Sequence, residues 1–268
     1  MFFIPNFYFL RTRLKSKLQK VSWLFVYFIP GLVLFNHFKT LDNFTNFFIY
    51  LLGITVINIV YENGYIENDS RTTKSEADPN IRVSQKEFNF VDKNFNKIIL
   101  IRLFLASLLI SLFYYYSNDW IGTLILILNA SLIQIIYLLY NRLRNIANLY
   151  LILPLSFLRF YGYILPFVTC EKLIEFTLAV GLIYPISKTL EFATRKRFKI
   201  YFFIKNLINI DRFRVFYYST ISFVFYLLQV EAIYFYIAIY YLLYRTATFL
   251  LISKRPRINE KLTSRKKH

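Results

Sequence analysis

An all-α bundle of about eight membrane-spanning helices (seven to nine) is the fold class that this sequence predicts, and three observations predict it. The chain is 57% hydrophobic and 21% aromatic with only six glycines, a composition foreign to ordinary soluble domains. Its apolar residues fall in runs near the length a helix needs to cross a bilayer. Its lysines and arginines fall between those runs and mostly on alternate loops, the pattern by which membrane topology is encoded.

Taken in order, residues 1–20 open with apolar aromatics followed by Arg11, Arg13, Lys15, Lys17 and Lys20. That order is the reverse of a secretory signal. The first nine residues read as an interfacial segment and the basic run as a cytoplasmic anchor. The spans follow at 21–38, which contains Pro30-Gly31, and at 44–61. A polar stretch, 62–97, precedes a pair at 98–116 and 119–140 joined by Asn118-Asp119. The next, 146–168, carries Pro154, Arg159 and Pro166 and reads as broken or tilted. Then come 173–190, a basic loop at 188–214, and two runs, 215–230 and 232–253, that meet at Glu231. Residues 21–253 thus form one transmembrane helical domain with cytoplasmic loops 62–97 and 188–214, and 254–268 form a basic cytoplasmic tail.

Charge placement gives the orientation. Apart from Lys39, Lys172, Arg102, Arg159 and Arg245, every Lys and Arg falls on one side of this topology. The positive-inside rule makes that side cytoplasmic and puts both termini there. The expected location is an integral, multi-pass position in a bacterial inner or plasma membrane. Membrane lipid is the expected partner, and nucleic acid is not, because the basic excess is used for topology. The single Cys170 and the two histidines, His37 and His268, exclude a disulfide framework and a Cys/His zinc site.

Chemistry is expected in the stretch 61–84. Glu62, Glu67, Asp69, Glu76 and Asp78 are five of the fifteen acidic residues in a chain of net charge +18. If the helix of the second span continues, Asn58, Glu62, Tyr65 or Ile66, and Asp69 share one face, which Thr72 and Glu76 extend. Carboxylate and amide oxygens at a membrane boundary suit Mg²⁺, which binds one or two carboxylates with substrate phosphates and water. The competing reading is a solvated loop with helix-end charges.

The run Asn68-Asp69-Ser70-Arg71-Thr72-Thr73-Lys74-Ser75-Glu76-Ala77-Asp78-Pro79-Asn80-Ile81-Arg82 resembles the first aspartate motif of UbiA-type intramembrane prenyltransferases, N-D-x-x-D-x-x-x-D followed by a Pro/Arg segment after the second helix. Asn68 and Asp69 match the opening pair, Glu76 replaces the last aspartate, and Pro79 and Arg82 fall near the Pro/Arg segment. Thr72 stands where the middle aspartate would be. The family's second aspartate-rich motif corresponds to Lys188–Arg197, where Glu191 alone is acidic. The resemblance implies a UbiA-like fold and transfer of an isoprenyl group from a polyprenyl diphosphate to an unknown acceptor. It implies Mg²⁺ on Asn68, Asp69 and Glu76, with Glu62, Arg82, Lys188, Glu191, Arg195 and Lys196 toward the substrate. Arginine and lysine neutralise a diphosphate by charge and hydrogen bonding. The basic loop also fits an anionic-lipid surface expected from topology alone.

Ionisable residues at membrane level are costly and tend to have a function or a partner. Arg102 lies near enough to its helix end to snorkel. Arg159 and Arg245 lie deeper, and Arg159, in the interrupted span, is the leading candidate to face substrate or to pair with a carboxylate such as Glu175. Asn129 and Gln134 read as interhelical hydrogen-bond partners. Two other classes remain: a transporter or flippase, and a UbiA-fold protein without catalysis. Transport predicts midplane acids and internal repeats, whereas the acids here lie at the boundary and no repeat is visible. The loss of acids at Thr72 and in the second loop favours the non-catalytic form.

Overall fold

Ten helices and no strand make up the described residues of the computed structural model, which are 2–39, 42–75, 82–143, 145–195, 198, 200 and 209–252. They are α1 (Phe7–Thr12), α2 (Lys17–Phe38), α3 (Asn43–Ser70), α4 (Gln85–Ser117), α5 (Trp120–Leu143), α6 (Ala147–Tyr161), α7 (Cys170–Ile183), α8 (Pro185–Ala193), α9 (Ile210–Leu227) and α10 (Ala232–Ile252). Five of them, α2, α3, α4, α5 and α10, are long and apolar enough to cross a membrane, and the count reaches six if the bent pair α7–α8 is taken as one span. This is the architecture of a polytopic helical membrane protein.

The span count is lower than the expected eight for local reasons. Helix α6 stops at Tyr161, and the chain goes on through a short 3₁₀ turn at Leu165–Phe167 rather than as one long helix. Helix α9 starts five residues earlier than the apolar run and takes in Asp211, Arg212 and Arg214. Pro185 removes a backbone donor between α7 and α8 and the two helices bend by 40° there.

The chain gathers into two compact units. The first comprises residues 1–151 and 157–169, and α3 is its centre. Within the apolar stretch of α3, 67% is buried inside protein, against 22% for α4. Helix α5 shows why: its buried positions, Gly122, Thr123, Leu126, Asn129, Ala130, Ile133, Ile136, Tyr137 and Asn141, repeat at helical spacing along one stripe. The opposite face carries Leu124, Leu128, Ile135 and Leu139, all exposed, as a bilayer would require. Asn129 donates to the Gly162 carbonyl at 2.8 Å and Gln134 to the Val60 carbonyl, so both bridge segments as expected.

The second unit, residues 152–156 and 170–268, is built on the antiparallel pair α9 and α10. Tyr218, Ile221 and Phe225 of α9 and Tyr234, Ile237, Ala238 and Tyr241 of α10 form the buried stripes. Tyr218 and Tyr241 stack with ring centres 5.0 Å apart and planes 9° apart.

One expectation changes at the polar stretch 62–97, which is largely helix rather than loop. Helix α3 runs on to Ser70, and α4 begins at Gln85 behind a capping box in which Ser84 and Glu87 satisfy each other's backbone N–H groups. The N-terminal segment packs over this extension. Phe2, Tyr8, Ile66, Val83, Val91 and Ile98 form a buried cluster, so these first residues are seated in the bundle and not only at an interface.

Candidate functional site

Glu62 and Asp69 share a face of α3, two helical turns apart, as the spacing predicts, and are 1% and 4% exposed. Each faces the N-terminal segment. Glu62 accepts the backbone N–H groups of Asn6 at 3.1 Å and Phe9 at 2.7 Å, which are otherwise unpaired donors at the start of α1. Its carboxylate also pairs with Arg102.

Arg102 does not snorkel. It is fully buried, with Nε on Asn63 Oδ1 at 2.7 Å and further bonds to the carbonyls of Phe2 at 3.0 Å and Ile59 at 3.1 Å. A nearby carboxylate and a set of carbonyls compensate its charge in place, which removes the need to reach water.

Asp69 is held by three groups. Arg13 Nη2 approaches Oδ2 at 2.9 Å, the Tyr8 hydroxyl donates to Oδ2 at 2.7 Å, and Arg82 Nη1 approaches Oδ1 at 2.9 Å. Asn68 adds a long contact of 3.5 Å to Oδ1. Burial and the adjacent carboxylate push the Tyr8 phenol above the usual tyrosine range, so it remains a donor. Burial acts to lower the Arg13 value, but Asp69 together with Tyr65, Tyr8 and Tyr137 outweighs it and the guanidinium stays charged.

Arg159 lies in a box of rings. Its guanidinium carbon is 4.3 Å from the ring centre of Tyr61, 4.4 Å from Phe9 and 5.6 Å from Tyr65. Nη1 donates to the Tyr65 hydroxyl at 2.8 Å, and the Tyr27 hydroxyl donates to the Arg159 carbonyl at 2.6 Å. Arg159 is 8% exposed, its Nε is buried without an acceptor, and among the described residues it forms no ion pair with any carboxylate. Cation–π contact supplies part of what a counter-charge would. Arg13 stacks over the face of the same Tyr65, at 4.2 Å.

The second unit holds the other expected residues. Glu191 of α8 is gripped in two-pronged fashion by Arg214, Nε to Oε1 at 2.6 Å and Nη2 to Oε2 at 2.8 Å, while Lys188 approaches at 3.3 Å. Arg195 is exposed, its guanidinium 4.0 Å from the Phe192 ring centre. Glu175 accepts the backbone N–H of Glu231 at 3.0 Å. Glu76 and Lys196 lie outside the described residues.

Mg²⁺ would have to displace partners from the donors described, and Glu76, the third expected ligand, lies outside the described residues. The ion needs oxygens free to coordinate, yet both oxygens of Asp69 accept from guanidinium groups and those of Glu62 from Arg102 and the start of α1. Among the described residues no group of three or more His, Cys, Asp or Glu could hold a metal. The residues that sequence reasoning missed are Tyr8 and Arg13, which lay in a segment read as interface and anchor, and Tyr61, indistinguishable by type from the many other aromatics; Tyr65 was placed on the acidic face but given no role. No protein-family model, curated protein or solved structure matches the chain.

Proposed function

We propose that this chain is a multi-pass membrane protein that binds the phosphate headgroup of an isoprenoid lipid, of the polyprenyl diphosphate class, on guanidinium groups rather than on a cation. The observation that carries this reading is the engagement of Asp69 by Arg13 and Arg82. Their side chains are 14% and 25% exposed, so an incoming oxyanion can exchange for the carboxylate. Guanidinium binds phosphate and carboxylate with the same fork geometry. In this reading the protein is a lipid-binding member of the architecture, with no transfer step assigned to it.

A second reading, Mg²⁺-dependent isoprenyl transfer, is favoured by one observation. Arg82, from the Pro/Arg end of the motif, meets Asp69 from its beginning, so the two ends of the UbiA-like motif act on one point.

Metal dependence separates the two. The experiment is titration of the protein in lipid nanodiscs with a farnesyl thiodiphosphate analogue, in EDTA and in Mg²⁺. Binding that persists in EDTA and weakens in Arg13→Gln supports the guanidinium reading. Binding seen only with Mg²⁺ and lost in Asp69→Ala supports transfer, and absence of binding in both conditions removes both.

A further inference from the structure

We infer that Arg13 and Arg159 form a two-point clamp across Tyr65, each guanidinium taking one phosphoryl group of a diphosphate. This rests on the lipid-diphosphate reading above and names how the headgroup is held and how deep it reaches.

The two cations share one aromatic ring. Arg13 lies over the face of Tyr65 at 4.2 Å, and Arg159 donates to its hydroxyl at 2.8 Å. Like charges so placed in a low-dielectric interior repel. Asp69 offsets Arg13, but its charge is shared with Arg82, and no carboxylate offsets Arg159 among the described residues. The Arg159 Nε, buried and without an acceptor, is the unmet donor at the inner end. Orphaned buried donors are rare in folded proteins, and an oxyanion bound there would satisfy both the donor and the charge.

The surroundings fit a lipid rather than a free ion. Phe9, Tyr27, Tyr61 and Phe160 surround Arg159, so a headgroup that reaches it brings its first apolar carbons against rings. A monophosphate offers one phosphoryl group to the two guanidiniums; a diphosphate offers one to each.

Trp23 reports on this place. Its ring centre is 6.0 Å from Phe9 and 5.1 Å from Tyr27, and the other tryptophan, Trp120, is an exposed residue at the start of α5. The test uses the full chain with Trp120→Phe in nanodiscs without metal, titrated with farnesyl thiodiphosphate, farnesyl monophosphate and inorganic pyrophosphate. The clamp predicts saturable change in Trp23 emission with the thiodiphosphate, affinity at least about tenfold above the monophosphate, and a loss of about tenfold or more in Arg159→Met with partial rescue in Arg159→Lys. Equal affinity for pyrophosphate would overturn the lipid assignment. If thiodiphosphate binds and weakens in Arg82→Gln while Trp23 is silent and Arg159→Met binds like the parent, the clamp is wrong and the lipid-binding reading stands. If the parent binds nothing, both fall. Should Arg159→Met fail to fold, the Trp23 response and the diphosphate-to-monophosphate ratio decide alone.

Discussion

The Glu62 carboxylate binds Arg102 and the Asn6 backbone N–H through Oε2 and the Phe9 backbone N–H through Oε1. One buried acid therefore neutralises a membrane-level arginine and fastens the N-terminal segment to α3. Removing one partner of a buried pair leaves the other charge uncompensated, at about 3–5 kcal/mol. Glu62→Ala is expected to lower the unfolding free energy in detergent by that amount. It is also expected to release α1, so limited trypsin digestion should cut after Arg11 and Arg13 in the variant well before it does in the parent. Resistance at those bonds in the variant would mean that the segment is held by Phe2 and Tyr8 packing instead.

Gly64 tests the packing of α3 on α5. A Cβ placed there would fall 2.2 Å from Tyr137 Cγ and 2.3 Å from its Cδ1, at the base of the ring where rotation gives no relief. Overpacking of this kind costs about 1–3 kcal/mol. Gly64→Ala should lower the thermal midpoint, and Tyr137→Ala in the same chain should recover part of the loss although it is destabilising alone. A simple sum of the two effects would show that the helices part freely at this point.

Most of the helices were legible because membrane spans announce themselves by length and hydropathy, and the shared face of Glu62 and Asp69 was legible because helical spacing is fixed. The roles of Asn129 and Gln134 followed from the same rules. What was not legible depended on tertiary placement. The polar end of α3 stays helical partly because Phe2 and Tyr8 cover it, a long-range contact that no local pattern encodes. Arg13 had the same surface signature as Lys15 and Lys17, and its stacking on Tyr65 leaves no trace in the sequence. Arg102 could be placed near a helix end but not assigned the carbonyls of Phe2 and Ile59, which come from distant segments.

In the second unit, Glu191 and Arg214 make a two-pronged pair with side chains 11% and 14% exposed. Such geometry is among the stronger side-chain interactions, and residues in direct contact couple by about 0.5–3 kcal/mol. Glu191→Gln and Arg214→Met are each expected to destabilise, and the double variant to lose less than the sum. The measurement is a double-mutant cycle by denaturant unfolding. Strict additivity would show that Lys188 and Asp211 re-pair with whichever residue remains.

The start of α3 responds to pH. Hydrogen bonds from Thr45, side chain first and then backbone, together with the Phe44 N–H, hold the Asp42 carboxyl below the usual aspartate range. The folded value is thus depressed relative to the unfolded one, so the cap stabilises fully above the ordinary value of about 3.9 and loses its contribution as pH falls from there through the folded value. Asparagine keeps an acceptor oxygen for the same N–H groups but does not titrate. Asp42→Asn should therefore leave the midpoint near neutral pH little changed and make its decline shallower below about pH 4. Parallel decline in both proteins would place the acid sensitivity elsewhere than the Asp42 cap.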